Sequence, residues 1–189
     1  MGEPGLTRNA ALALLRENIK SENLISHCLA SEAVLRAMAR RFGEDEEQWG
    51  LAGLLHDLDV ELTNADLNVH GLEAEKKLTA LGLDPVIVDA IKRHNEQAHT
   101  LKRETRLHHA LEAGETITGM ITATALVYPD RKLASVKVKS ITKRMKEKAF
   151  AAAVNRDIIR ECEVIGLPLD EFAALALGAM QNISDQLGL

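Results

Sequence analysis

Aromatic residues are nearly missing from this chain: one Trp, one Tyr and three Phe make up 3% of its 189 residues. Hydrophobic residues still reach 46%, so a core has to come from Leu, Ala, Ile and Val, which favours packed helices over a β-sandwich. So few rings also leave little for nucleic-acid bases to stack on. Positive charge is in deficit as well: 23 Lys and Arg against 28 Asp and Glu give a formal charge of −5, which argues against a broad polyanion-binding field. Two cysteines, Cys28 and Cys162, are too few for a disulfide framework. Cys28 has no partner spacing and no signalled base, so it reads as a small buried hydrophobe.

Other absences bound the location. The opening "MGEPGLTRNAALALL" has no basic stretch leading into a continuous apolar one. The longest weakly polar run, "TITGMITATALVY" at 116–128, is short of the ~20 residues a membrane helix needs. The expectation is a soluble protein of a reducing cytoplasm, with no membrane partner and no nucleic acid. At 20.7 kDa the chain suits one domain or one domain with a helical extension.

What is present is a series of amphipathic helices. Thr7 can cap a first helix whose Leu12, Leu15 and Ile19 fall on one face. Ser21 can cap a second that Gly43 stops, and Gln48 to about Leu58 makes a third. "DVELTNADLNVHG" has no sustained period and reads as a loop. "HGLEAEKKLTALGL" is a helix ending at Gly82, and Asp84-Pro85 start the next, with His94 near its end. Residues 106–127 form a long helix of small and apolar residues, ended by Tyr128-Pro129-Asp130. Three shorter helices follow. The reading is all-α: a helical bundle over 1–130, with 131–189 as a C-terminal helical extension packed on it.

Four of the seven histidines, His27, His56, His70 and His94, fall on or beside four different helices, as in bundles that build metal sites from facing helices. His56 and Asp57 are about 100° apart around a helix and can converge on one point. Imidazole with carboxylate suits Zn, Fe, Mn, Co or Ni better than Ca. Any one of these histidines by itself reads as a surface or satisfied core residue sooner than as a ligand.

The order of all of them is more specific. "LISHCLASEAVLRAMA", "WGLAGLLHDLD", "HGLEAEKKL" and "AIKRHNE", followed by an acidic residue in the long helix, resemble the HD-domain superfamily of metal-dependent phosphohydrolases over roughly residues 22–127. The resemblance implies an HD-type helical bundle. It implies one metal held by His27, His56, Asp57 and Glu115, and a second, about 3.5 to 4 Å away, held by Asp57, His70 and His94. Where the family carries Asp in a run similar to "AxDxxTGxI", this chain has Glu115 in "EAGETITGMI", one methylene longer and still able to ligate. The implied activity is hydrolysis of a phosphomonoester, nucleotide or phosphodiester by metal-activated hydroxide, with one or two divalent transition-metal ions as cofactor. The implied partner is a small, nucleotide-like phosphorylated substrate, and Asp57 is the central catalytic residue.

Other residues stay open between two readings. Asp59 and Glu61 can orient a ligand imidazole or relay a proton, or can be solvated loop carboxylates. Lys92, Lys139 and Arg156 are candidate phosphate contacts, although most Lys and Arg are plain surface. Thr118 and Thr122 can line the pocket or bond back within their helix. His108 and His109 are not placed as ligands, and His99 reads as solvated. The basic run Lys137 to Lys148 reads as a solvated face. Beside the enzyme stand a weakly active metal- or ligand-binding regulator and a helical interaction module. Neither the substrate, the metal nor the oligomeric state is fixed by the sequence.

Overall fold

Capping chemistry sets the helix starts much as the sequence predicts. The Thr7 hydroxyl accepts the Ala10 amide at the start of α1 (Arg8–Asn18), and Ser21 accepts from Leu24 at the start of α2 (Glu22–Phe42). Gly43 ends α2 at φ 70°, a left-handed conformation that costs glycine little. The computed structural model describes residues 5–189, so the first four residues of the opening stretch lie outside it.

Asp45 accepts from Glu47 and Gln48 and starts α3 (Glu46–Leu55) two residues before the expected Gln48. That helix also stops at Leu55 rather than near Leu58, and successive turns carry the chain through His56 and Asp57. α4 (Leu72–Ala80) and α5 (Pro85–Arg93) follow, the latter with Asp84 accepting from Val86 and Pro85 in the first turn. α6 (Arg106–Leu126) begins with a reciprocal cap: Thr105 accepts the His108 amide, and His108 Nδ1 accepts the amides of Glu104 and Thr105. This gives His108 a structural role that its spacing alone does not reveal.

α3 is buried all round, from Trp49 to Leu55, which is how a helix at the centre of a bundle reads. It lies against α2, and Gly53 is why it can lie so close: a Cβ there would come within 2.8 Å of the Ser31 carbonyl. α2 also packs on α6, and these three helices share one core with Leu35, Met38, Leu54, Ile117 and Ile121.

The C-terminal part departs from the three expected helices. It holds a single 3-10 turn at Leu133–Ser135, then α7 (Val138–Arg144), α8 (Arg156–Ile159), α9 (Glu161–Val164), α10 (Leu169–Gln181) and α11 (Ser184–Leu187). The basic run is helical only over α7, and Lys137, Lys139, Lys143, Lys146 and Lys148 are exposed. Residues 147–154 turn instead, because the Arg156 guanidinium donates to the carbonyls of Glu147, Phe150, Ala151 and Val154. A side chain there replaces the amides that a helix would use. α10 brings buried Phe172 onto α2, α6 and α7. Among the described residues every regular element is helical, and no helix is long and apolar enough to cross a membrane.

Candidate metal centre

Five elements aim side chains at one point. His27 comes from the second turn of α2, His56 and Asp57 from the turn that ends α3, His70 from the residue pair before α4, His94 from the end of α5, and Glu115 from the middle of α6. Asp57 lies at the centre. Its Oδ2 is 3.7 Å from His27 Nε2 and 3.5 Å from His56 Nε2. Its Oδ1 is 3.2 Å from His70 Nε2 and 3.8 Å from His94 Nε2. Two groups able to hold a metal result, His27-His56-Asp57 and Asp57-His70-His94, joined through the one carboxylate. Glu115 Oε2 lies 3.5 Å from His27 Nε2 at the edge of the first group.

Each imidazole is pinned through its other nitrogen. His56 Nδ1 meets the Gly53 carbonyl at 2.9 Å, and His94 Nδ1 meets that of Ile91. A carbonyl only accepts, so both rings carry the proton on Nδ1. Thr118 donates its hydroxyl to the Glu115 carbonyl at 2.6 Å, leaving its oxygen to accept from His27 Nδ1 at 3.0 Å. His70 Nδ1 donates to Asp59 Oδ1 at 2.7 Å. Held this way, the four rings turn their Nε2 atoms inward. His27 and His56 bring theirs to 3.1 Å, His70 and His94 to 2.9 Å. Facing ring nitrogens beside a carboxylate could hold a divalent metal ion. The donor set fits the group that the sequence implies.

Electrostatics point the same way. Burial lowers the His56 pKa to about 3 and lowers that of His27. Burial also opposes charge on His70, but its bonds to Asp57 and Asp59 outweigh that and push it up to about 9. Burial works to raise Asp57, yet His56, His70, His94 and His27 hold it well below the usual carboxylate range. Burial pushes Glu115 up to about 8; the Thr116 hydroxyl pulls against this, while Asp57 adds to it.

Asp59 is not a solvated loop carboxylate. It is 3% exposed and accepts from His70 Nδ1 and from the amides of Gly71 and Ala74 at 2.9 Å, so it fixes the ring and the start of α4 together. With both oxygens so engaged, it acts through His70. Glu61 accepts the amides of Lys20 and Ser21 and ties the α1–α2 junction. His109 bonds Glu161, and His99 bonds the Lys92 carbonyl rather than standing free in solvent.

The metal-facing cavity, about 500 Å³, is lined by His56, Asp57, His70, His94, Glu115 and a rim that includes Asn95, Glu96, Gln97, Arg103, Glu112 and Asn155. None of the three expected phosphate contacts lines it. Lys92 pairs with Glu75 at 2.8 Å, Lys139 is exposed on α7, and Arg156 is spent on backbone carbonyls. Thr118 belongs to the site through His27. Thr122 lines a second cavity with Leu126 and Leu187 that meets the cluster at His27 and Thr118. Sequence reasoning passed over Arg103, Glu112 and Asn95, whose amide donates to the carbonyls of Leu67 and His70. Only Glu112 carried a signal, three residues before Glu115 on the same helical face.

A family model for the HD domain matches residues 24–126, more than half of the chain and all five elements of the site. No curated protein matches the chain.

Proposed function

The chain belongs to the HD-domain family, and from that premise we propose that it is a cytoplasmic metal-dependent phosphohydrolase. Its substrate class is a phosphomonoester, nucleotide or phosphodiester. The observation that carries this reading is the convergence of four Nε2 atoms on the two oxygens of Asp57. His27, His56, Asp57 and Glu115 would hold one ion and Asp57, His70 and His94 a second. Divalent ions supply Lewis acidity toward phosphoryl oxygens and acidify water at neutral pH. The chain's own residues do the rest. Asp59, Thr118 and the Gly53 and Ile91 carbonyls keep every imidazole in the ligating tautomer. The buried faces of α2, α3 and α6 hold the donors rigidly, so little reorganisation accompanies binding.

The test is elemental analysis of protein purified without a chelating tag, followed by assay of the metal-loaded chain against phosphoesters and nucleotides beside Asp57→Ala. Bound transition metal and metal-dependent release of phosphate or alcohol that Asp57→Ala abolishes are expected. Activity unchanged in that variant would overturn the reading. A second reading, a metal- or ligand-binding regulator with little turnover, draws on Glu115. Glu115 stands outside the three-residue group of His27, His56 and Asp57. Full metal content without turnover on any ester would favour it.

A further inference from the structure

An anionic ester gains from a cation beyond the metals, and Lys92, Lys139 and Arg156 all lie elsewhere. Among the described residues, Arg103 is the one Lys or Arg that lines the metal-facing cavity. Its guanidinium is held along one edge only. Nε and Nη2 donate side by side to the Glu161 carboxylate at 2.9 and 2.7 Å, a fork that fixes the plane of the group. Nη1 is left over. Among the described residues the carboxylates nearest to it are Glu96 and Glu112, also on the cavity wall, and both stand 3.6 Å away, beyond hydrogen-bond reach. Neither competes strongly for it. Glu96 already accepts from Lys102 Nζ at 3.0 Å and from the Arg103 amide at 3.4 Å. Burial, with Glu115 adding to it, pushes the Glu112 carboxyl well above its usual range against the pull of Arg103. The Arg103 side chain is 12% exposed, and a charged donor left unbonded at that depth costs free energy that an anion in the cavity recovers. The clamp comes from outside the matched family region: Glu161 stands on α9, beyond residue 126, and also accepts from His109 Nδ1 of α6 at 2.7 Å.

We propose, resting on the phosphohydrolase reading, that Arg103 grips the phosphoryl oxygens of the substrate through Nη1, and that Glu161 of the C-terminal extension is the positioning residue that aims it. The full chain is loaded with Mn²⁺, its metal content is measured, and orthophosphate is titrated in by calorimetry beside Arg103→Met, Glu161→Gln and the double variant. Arg103→Met keeps the stem and removes the charge. Orthophosphate should then bind about 10- to 100-fold more weakly at unchanged metal content, the size of a lost hydrogen bond to a charged group. KM for a phosphoester should rise by a similar factor while kcat falls less, because the contact is made in the bound substrate as well as in the transition state. Glu161→Gln should weaken orthophosphate about 3- to 10-fold by itself and no further in the Arg103→Met background, since it acts only through Arg103. Arg103→Gln replaces Arg103→Met if the latter does not fold. Orthophosphate bound by the Arg103 variant as tightly as by wild type overturns the inference, and equal losses from Glu161→Gln in both backgrounds overturn the part given to Glu161. A wild-type chain that neither binds orthophosphate nor hydrolyses any phosphoester overturns the phosphohydrolase reading as well.

Discussion

The two halves of the candidate metal centre are built differently. His27, His56 and Glu115 stand on or at the end of α2, α3 and α6, long or fully buried helices that share the core, and two of their rings are fixed by groups of those same helices. His70 lies in the turn-rich segment 56–71, and His94 caps the end of the nine-residue α5. Their placement runs through side-chain bonds: Asp59 to His70, and Asn95 to the carbonyls of Leu67 and His70. The first half inherits its rigidity from packing. The second depends on a few polar contacts over a segment with exposed Leu62, Leu67 and Val69. Substitutions in the second half should therefore lose one ion and spare the other, and only the shared carboxylate should lose both.

Asp57 gives the largest expected effect. Asp57→Ala removes the only group common to both halves, so metal content should fall to near zero. Metal-dependent kcat/KM should fall on the order of 10³-fold or more, about 4 kcal/mol of transition-state stabilisation. Retention of one tightly held ion would show that the halves are independent. Asp59→Asn comes next and breaks the comparison at its weaker side. It exchanges a carboxylate for an amide against His70 Nδ1 and the amides of Gly71 and Ala74. Metal affinity in the second half should drop about 10- to 100-fold, with stoichiometry falling from two ions toward one, while the first ion stays. Equal loss of both ions would contradict the division drawn above.

Much of this site is legible from sequence because its donors lie at places the chain marks locally. Ser21 caps the helix of His27, Pro85 starts the helix that His94 ends, and an apolar run leads to His56 and Asp57. Each signal depends on neighbours within a turn or two. What did not read through depends on the bonds a side chain makes once the chain has folded, which helical periodicity does not carry. Asp59 looks like a loop carboxylate until α4 and His70 close over it. Arg156 looks like a phosphate cation until the chain from Glu147 to Val154 folds around it. Arg103 becomes part of the cavity only because Glu161, 58 residues on, holds it there. Helices α8 and α9 are short for the same reason: contacts with α6 position them, and their own periodicity carries little information.

Glu115→Gln sharpens the stronger half. The substitution keeps length and shape but replaces the carboxyl group that lies 3.5 Å from His27 Nε2, and so removes an ionisable oxygen donor. Affinity for the first ion should fall about tenfold if the carboxylate completes that group, a 1.4 kcal/mol change, and the second ion should be unaffected. Wild-type metal binding in Glu115→Gln would move this residue out of the ligand set.

The smallest expected effect is that of Thr118→Val, and it tests whether packing or hydrogen bonding governs the first half. Thr118 is buried in α6 and valine has nearly its shape, so the packing around Ile117 and Ile121 is kept while the hydroxyl's bond to the Glu115 carbonyl is lost. What also disappears is the hydroxyl oxygen that accepts from His27 Nδ1. The ring can then turn or take the other tautomer, which weakens the ion in the first half by about 10-fold or less, the low end for a partner that acts through a ligand. Because α2, α3 and α6 still hold His27, His56 and Glu115 in place, the loss should stay below that of Asp59→Asn. Competition against a chelator at matched ionic strength measures both variants on one scale. A larger loss in Thr118→Val than in Asp59→Asn would mean that the helical half owes its order to this one hydroxyl rather than to the core beneath it.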